Sequence, residues 1–150
     1  MPGDSVFVDT NVLLYSFDSR HPSKNKQATH WLDYLWGTSN GRMSWQVLNE
    51  FYENAVRKFG VLPSEARKAV SVFSMWQPSG IDFVLVQRAW HWMDHAHLSY
   101  WDSLILASAE RLGCSLLLSE DFQDGREYGA VRVVSPFTQQ PQDLPPSKLS

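Results

Sequence analysis

The stretch SVFVDTNVLLY, Ser5 to Tyr15, constrains this chain more than any other, because an apolar strand pattern ends abruptly on an acid. Val6, Phe7 and Val8 are β-branched or aromatic and favour a short buried strand. Asp9 follows, then Thr10 and Asn11, and apolar residues resume at Val12, Leu13 and Leu14. Thr10 or Asn11 is suited to cap a helical turn there. A strand that delivers a carboxylate at its C-terminal end belongs in an open α/β sheet, where ligands bind outside the carboxyl ends of the strands. A plain cap or turn residue would read the same way, so the other acids must decide what Asp9 does.

The rest of the chain alternates helical and strand patterns. Ala28, Trp31, Leu32, Leu35 and Trp36 have amphipathic helical spacing. Arg42 to Trp45 reads as a short strand, and Ser44 as the cap of a helix running to about Lys58 with Val47, Leu48, Phe51, Tyr52 and Ala55 on its apolar stripe. Gly60 ends that helix, and Pro63 opens another through Ala66, Ala69, Val70, Phe73 and Trp76. Ile81 to Val86 is short and apolar and reads as a strand, followed by a helix from about Gln87 to His95. Asp102 opens a strongly apolar helix stopped by Gly113. Ser115 to Leu118 is a further buried strand, again ending in acids, and Val131 to Val134 makes the last one. This order predicts an α/β fold with a mainly parallel sheet covered on both faces. Residues 1–135 read as one domain; Pro136 to Ser150 holds four prolines and reads as a loose tail.

Composition narrows the function classes. The chain has 150 residues with 43% hydrophobic and 19% charged, enough for one domain with a sizeable core. The net charge of −3 gives no global basic field to announce nucleic acid, which weakens a simple binding-module reading. It leaves open an enzyme that holds phosphates through metal ions and a few local basic residues. Cys114 is the single cysteine, so no intramolecular disulfide forms, and with no redox motif beside it the thiol reads as inert core. No apolar run approaches membrane-spanning length and no signal-type segment opens the sequence, so a cytoplasmic location without membrane contact is expected.

Asp9 and Asp121 both follow buried strands and share one sheet edge if those strands are parallel. Asp102 starts a helix whose approach returns to that edge, and Glu50 lies on a helix able to lean over it. Four carboxylates in one cleft repel one another, and a divalent cation removes that penalty. Mg²⁺ suits hard oxygen ligands and works with carboxylates and substrate phosphates; Mn²⁺ also fits. Such a site activates water and orients a phosphodiester.

Four segments carry a family resemblance: VDTNVLLY around Asp9, QVLNEF around Glu50, LSYWDSLILASA around Asp102 and LLLSEDFQDG around Asp121. Together they resemble the PIN-domain ribonucleases, specifically the VapC-like toxins of bacterial toxin–antitoxin pairs. The resemblance implies a three-layer α/β/α fold and Mg²⁺-dependent endoribonuclease activity on an RNA substrate. It also implies a small antitoxin partner and a homodimer. Asp9, Glu50, Asp102 and Asp121 match the acidic quartet. Ser119 stands where the family commonly has a small hydroxyl residue and reads as a support for Asp121. Thr10 and Asn11 read as cap and hydrogen-bonding residues. Asp124 reads as an auxiliary acid or, within a DG turn signal, as a structural one.

Other residues have plainer readings. Glu120 reads as a surface acid. His91 and His95 are four apart with His97 beyond, a spacing able to bind a transition metal, but they lack HExxH and nearby cysteine ligands and read as solvated or packed. Trp101 is placed to flank the acid cleft, where base stacking is an available role. A PIN-fold RNA-processing or DNA nuclease outside a toxin pair, and a non-catalytic interaction domain, are the competing functions; a phosphatase-like hydrolase lacks a nucleophile context.

Overall fold

The computed structural model describes residues 4–144. Its centre is β1, Val6–Val8, three wholly buried residues. A continuous apolar run is what a strand covered on both faces requires. β1 pairs in parallel with β2, Gly41–Arg42, on one side and with β3, Leu116–Leu118, on the other. Beyond β3 lies β5, Val131–Val134, also parallel, and β4, Glu127–Tyr128, closes that edge antiparallel, giving the order β2-β1-β3-β5-β4. The sheet is thus mainly parallel and is flanked by helices in three α/β/α layers.

The helices are α1 (Thr10–Tyr15), α2 (Pro22–Thr38), α3 (Trp45–Arg57), α4 (Pro63–Phe73), α5 (Phe83–Ala96) and α6 (Tyr100–Arg111). α1 packs on α2 and α3, and α3 packs on α4. α5 pairs with α6 through Leu85, Ala89, Leu104 and Ala107, and α6 lies against β3 and β5. The main core gathers Phe7, Leu13, Trp31, Leu35, Phe51, Leu106, Leu117 and Val133 around the sheet. The connection after β1 leads to one side of it and the connection after β3 to the other. The strand order therefore switches direction between these two strands, where a crevice opens at their carboxyl ends.

Three local expectations are corrected. Ile81 to Val86 is not a strand: Asp82 caps α5, its Oδ1 accepting from Leu85 N at 2.9 Å, and only Leu85 of this run is buried. The helix predicted from Asp102 begins earlier, at Tyr100, with Ser99 as its cap. The segment from Pro136 is packed as far as Leu144: Trp31 Nε1 donates to Pro136 O at 3.2 Å and Gln139 O at 3.0 Å, and Pro141 is buried. Residues 145–150 of the expected loose tail lie outside the described residues. Among the described residues, no helix is long and apolar enough to cross a membrane.

Candidate active site

Asp9 ends β1 and begins α1. Its backbone is extended, its N–H continues the ladder to Leu118 O at 3.0 Å, and it is itself the helix cap that the sequence assigned to Thr10 or Asn11. The carboxylate is 4% exposed. Oδ1 accepts from Thr10 N at 2.7 Å and Oδ2 from Ser119 Oγ at 2.7 Å. No cation pairs with it in either of these contacts. Burial pushes its pKa up from 3.8 to about 7; the hydrogen bonds from Ser119 and Thr10 pull the other way, and the charges of Asp121 and Glu50 add to the rise.

Ser119, fully buried just past β3, ties the strands' ends together. Besides donating to Asp9, its Oγ accepts from Asp121 N at 3.0 Å and from Asn11 Nδ2 at 3.4 Å. Asn11 completes the brace: Nδ2 reaches Asp121 Oδ2 at 3.1 Å and Oδ1 accepts from Glu120 N at 3.3 Å. Thr10 Oγ1 donates to Glu50 Oε1 at 2.8 Å, holding the acid of α3 toward the end of β1. Asp102 sits in the first turn of α6, its N–H bonded to the Ser99 cap at 3.1 Å. It is half-buried, and burial and the Asp121 charge raise its pKa against the pull of Ser99.

Asp9, Glu50, Asp102 and Asp121 all line one open cleft of about 270 Å³. Thr10 and Asn11 line it too. Asp124 does not: its Oδ1 accepts from Ser135 N at 2.9 Å and its Oδ2 from Thr138 Oγ1 at 2.7 Å, so it secures the chain after β5. Glu120 is exposed and paired with Lys24 at 2.5 Å. His91 and His95 stack on each other at 4.1 Å, away from the cleft residues. Burial pushes the Cys114 thiol up to about 12, which fits an inert core cysteine.

The cleft also holds Gln46, Asn54 and Lys58, which sequence reasoning passed over. With the expected Glu50 they succeed one another at four-residue intervals on and just after α3 and line its wall as a polar row. The signal was present as the complement of the apolar stripe Val47, Leu48, Phe51 and Ala55. Lys58 is exposed and brings positive charge to a wall otherwise rich in carboxylates. Gln46 Nε2 donates to Trp101 O at 3.2 Å and so joins α3 to the start of α6.

The donor set fits a hard divalent cation. It is all oxygen, and the buried Asp9 carries a carboxylate that burial and neighbouring charges disfavour. Among the described residues, no three His, Cys, Asp or Glu side chains are drawn together as a ready metal cage. Mg²⁺ does not demand one, because it keeps several waters and is bound through one or two carboxylates with substrate phosphates.

The fold is a three-layer α/β/α domain with carboxylates gathered near the carboxyl ends of β1 and β3. The PIN domain model matches residues 6–123, and the chain belongs to the PIN-domain family. Six solved chains match. One, the Mycobacterium tuberculosis toxin VapC20, described as cleaving the sarcin-ricin loop, superposes with a TM-score of 0.55 at 20% identity, over 78% of this chain and 90% of that one. No curated protein matches significantly.

Proposed function

We propose that this protein is a Mg²⁺-dependent endoribonuclease and the toxin of a toxin–antitoxin pair. The observation that carries the reading is the meeting of Asp9, Glu50, Asp102 and Asp121 in one cleft of a PIN domain. Asp9, Asp102 and Asp121 would hold the cation, with Glu50 beside them; Mn²⁺ would serve as well. When bound, the cation supplies Lewis-acid stabilisation of the phosphoryl oxygens and lowers the pKa of water.

The chain's own groups do the rest. Ser119 and Thr10 N–H fix both oxygens of Asp9, so the carboxylate cannot swing on binding. Thr10 holds Glu50 through Oε1, which orients Oε2 to take a proton from an attacking water. Lys58 contacts a phosphate next to the one cleaved, positioning the strand without reading its bases. Water attacks phosphorus, the bond to the 3′ oxygen breaks, and the products are a 5′-phosphate and a 3′-hydroxyl. A 2′,3′-cyclic phosphate among the products would exclude this course.

Likeness to a solved toxin supports the cellular role. A small antitoxin that inserts an Arg or Lys among the acids would silence the site, and copurification from the native operon is the test of that partner. Homodimerisation is part of the proposal, and light scattering that finds only monomer removes it. Cleavage of total cellular RNA, mapped by sequencing with and without EDTA, tests the activity itself. Cleavage that survives complete chelation would overturn it.

A further inference from the structure

Beside the acid cleft lies a second, larger groove of about 500 Å³, walled by Trp45, Ile81 and Trp101 and floored by Gln46, Asn49 and Glu50. Gln46, Glu50 and Trp101 also line the acid cleft, so the two spaces are continuous. The three wall residues are large, apolar and 41–58% exposed.

The groove is held in shape by backbone. Trp45 N–H donates to Ser79 O at 2.9 Å and Ser79 N–H to Met43 O at 3.2 Å, a short parallel bridge that sets Ile81 near the start of α3. On the other side the Gln46 amide grips the Trp101 carbonyl. That leaves Gln46 Oε1 buried with no hydrogen-bond partner, on a side chain only 7% exposed at the junction of groove and cleft. A buried acceptor without a donor costs stability unless something supplies one.

We propose that this groove is a subsite for one unstacked nucleobase of a single-stranded substrate, seated between Trp45 and Trp101 while its phosphate lies over the acids. The inference rests on the nuclease reading above. The features match a base. Two indoles offer π-faces for stacking, the Asn49 amide offers hydrogen bonds to an edge, and a shift of the Gln46 side chain on binding would bring its unpartnered acceptor to a donor such as an exocyclic amine or a 2′-hydroxyl. Among the described residues no cation lines the groove, so it suits the uncharged part of a nucleotide, whereas Lys58 stands at the far end of the polar row. Trp45 and Lys58 are separated by roughly 20 Å along α3 at 1.5 Å per residue. The strand would therefore run along this helix, with base recognition at one end, hydrolysis beside Glu50 and a phosphate contact at the other.

The test uses the full chain carrying Asp9→Asn, so that binding is read without cleavage. Anisotropy of end-labelled adenosine and uridine RNA hexamers gives the affinity, in Mg²⁺, against hexamers with one abasic position and against matching DNA. Trp101→Ala and Trp45→Ala are each expected to weaken RNA binding about tenfold, with Phe at either position keeping most of it. Both residues are exposed, and unchanged melting curves will show that the variants fold. In the otherwise wild-type enzyme the same substitutions should raise KM with kcat largely kept, the reverse of the acids. An abasic position should remove the difference between parent and Trp101→Ala. Equal binding by DNA would support the base subsite while moving the substrate class from RNA to single-stranded DNA. RNA binding that persists unchanged without either indole would overturn the subsite and leave the nuclease reading standing, and so would loss of association with a copurifying protein instead. Failure of the parent to bind any hexamer would overturn both.

Discussion

Ser119 Oγ donates to Asp9 Oδ2 at 2.7 Å across the seam between β1 and β3. The residues are 110 apart in sequence, and this bond joins the ends of two strands whose Leu118 and Val8 are register partners. The hydroxyl that steadies the buried carboxylate also accepts from Asp121 N, so two acids of the quartet share one support.

Removing that support should be felt at the metal. In Ser119→Ala the Asp9 carboxylate loses a hydrogen bond that lowers its pKa, so the proton competes better with Mg²⁺. A bond to a charged group is worth about 1.5–3 kcal/mol. The expected result is a weaker apparent Mg²⁺ affinity near neutral pH that recovers as pH rises, measured by following melting temperature through Mg²⁺ titrations at several pH values. A pH-independent loss would mean that Ser119 acts only through packing.

Asp9→Asn should abolish most RNA cleavage and leave the fold intact. Asn keeps the size of the side chain; its oxygen can still take the Thr10 N–H, and its amide can displace the long Asn11 contact on the Ser119 hydroxyl. With the carboxylate repulsion relieved, the metal-free variant should melt no lower than wild type near neutral pH. Wild type should melt higher with Mg²⁺, its stability rising by about 2.7 kcal/mol at a hundredfold excess over Kd, and the variant should gain less. Folded Asp9→Asn that cleaves at the wild-type rate would refute the assignment.

Metal-free stability should fall with rising pH in a defined window. Asp9 is raised from 3.8 to about 7 in the folded state, so its protonated form is favoured by folding. Its contribution is present in full below pH 3.8 and is lost as pH climbs through about 7. The shift corresponds to roughly 4 kcal/mol. Urea denaturation in EDTA across this range should show the decline, and Asp9→Asn should flatten it. Asp18, whose carboxyl Arg20 and His21 hold down at about 2, acts in the opposite sense and at lower pH: its stabilisation is lost as pH falls through that value.

Trp31→Phe tests the packing of the chain after β5. It removes the indole N–H that serves both Pro136 O and Gln139 O. About 1–2 kcal/mol of stability should go with it. Limited proteolysis should cut the variant between Pro136 and Leu144 faster than wild type, while cleft chemistry is unaffected.

Asp9 and Asp121 were legible because each ends a strong strand pattern, whereas Glu50 and Asp102 lie on helices and stood out through the resemblance of their segments to the family. VFV and LLL cannot be solvated, so the polar residues that follow must mark strand ends, and caps such as Ser44 and stops such as Gly113 bound the helices between them. What escaped had two causes. Ile81 to Val86 is apolar but mostly exposed, and a short apolar run does not reveal its period; the deciding bond, Asp82 to Leu85 N, is a cap. β4 is two residues long and exists only because β5 lies beside it. Asp124 shows the reverse limit, since a turn acid and a cleft acid look alike until Ser135 and Thr138 are seen to claim it.

The polar row on α3 makes that helix intolerant of changes in length. One residue inserted between Glu50 and Asn54 would turn everything beyond it by about 100°. Lys58 would leave the cleft and part of the apolar stripe would face water, though no functional side chain had been altered. Over its length α3 should therefore vary by substitution alone.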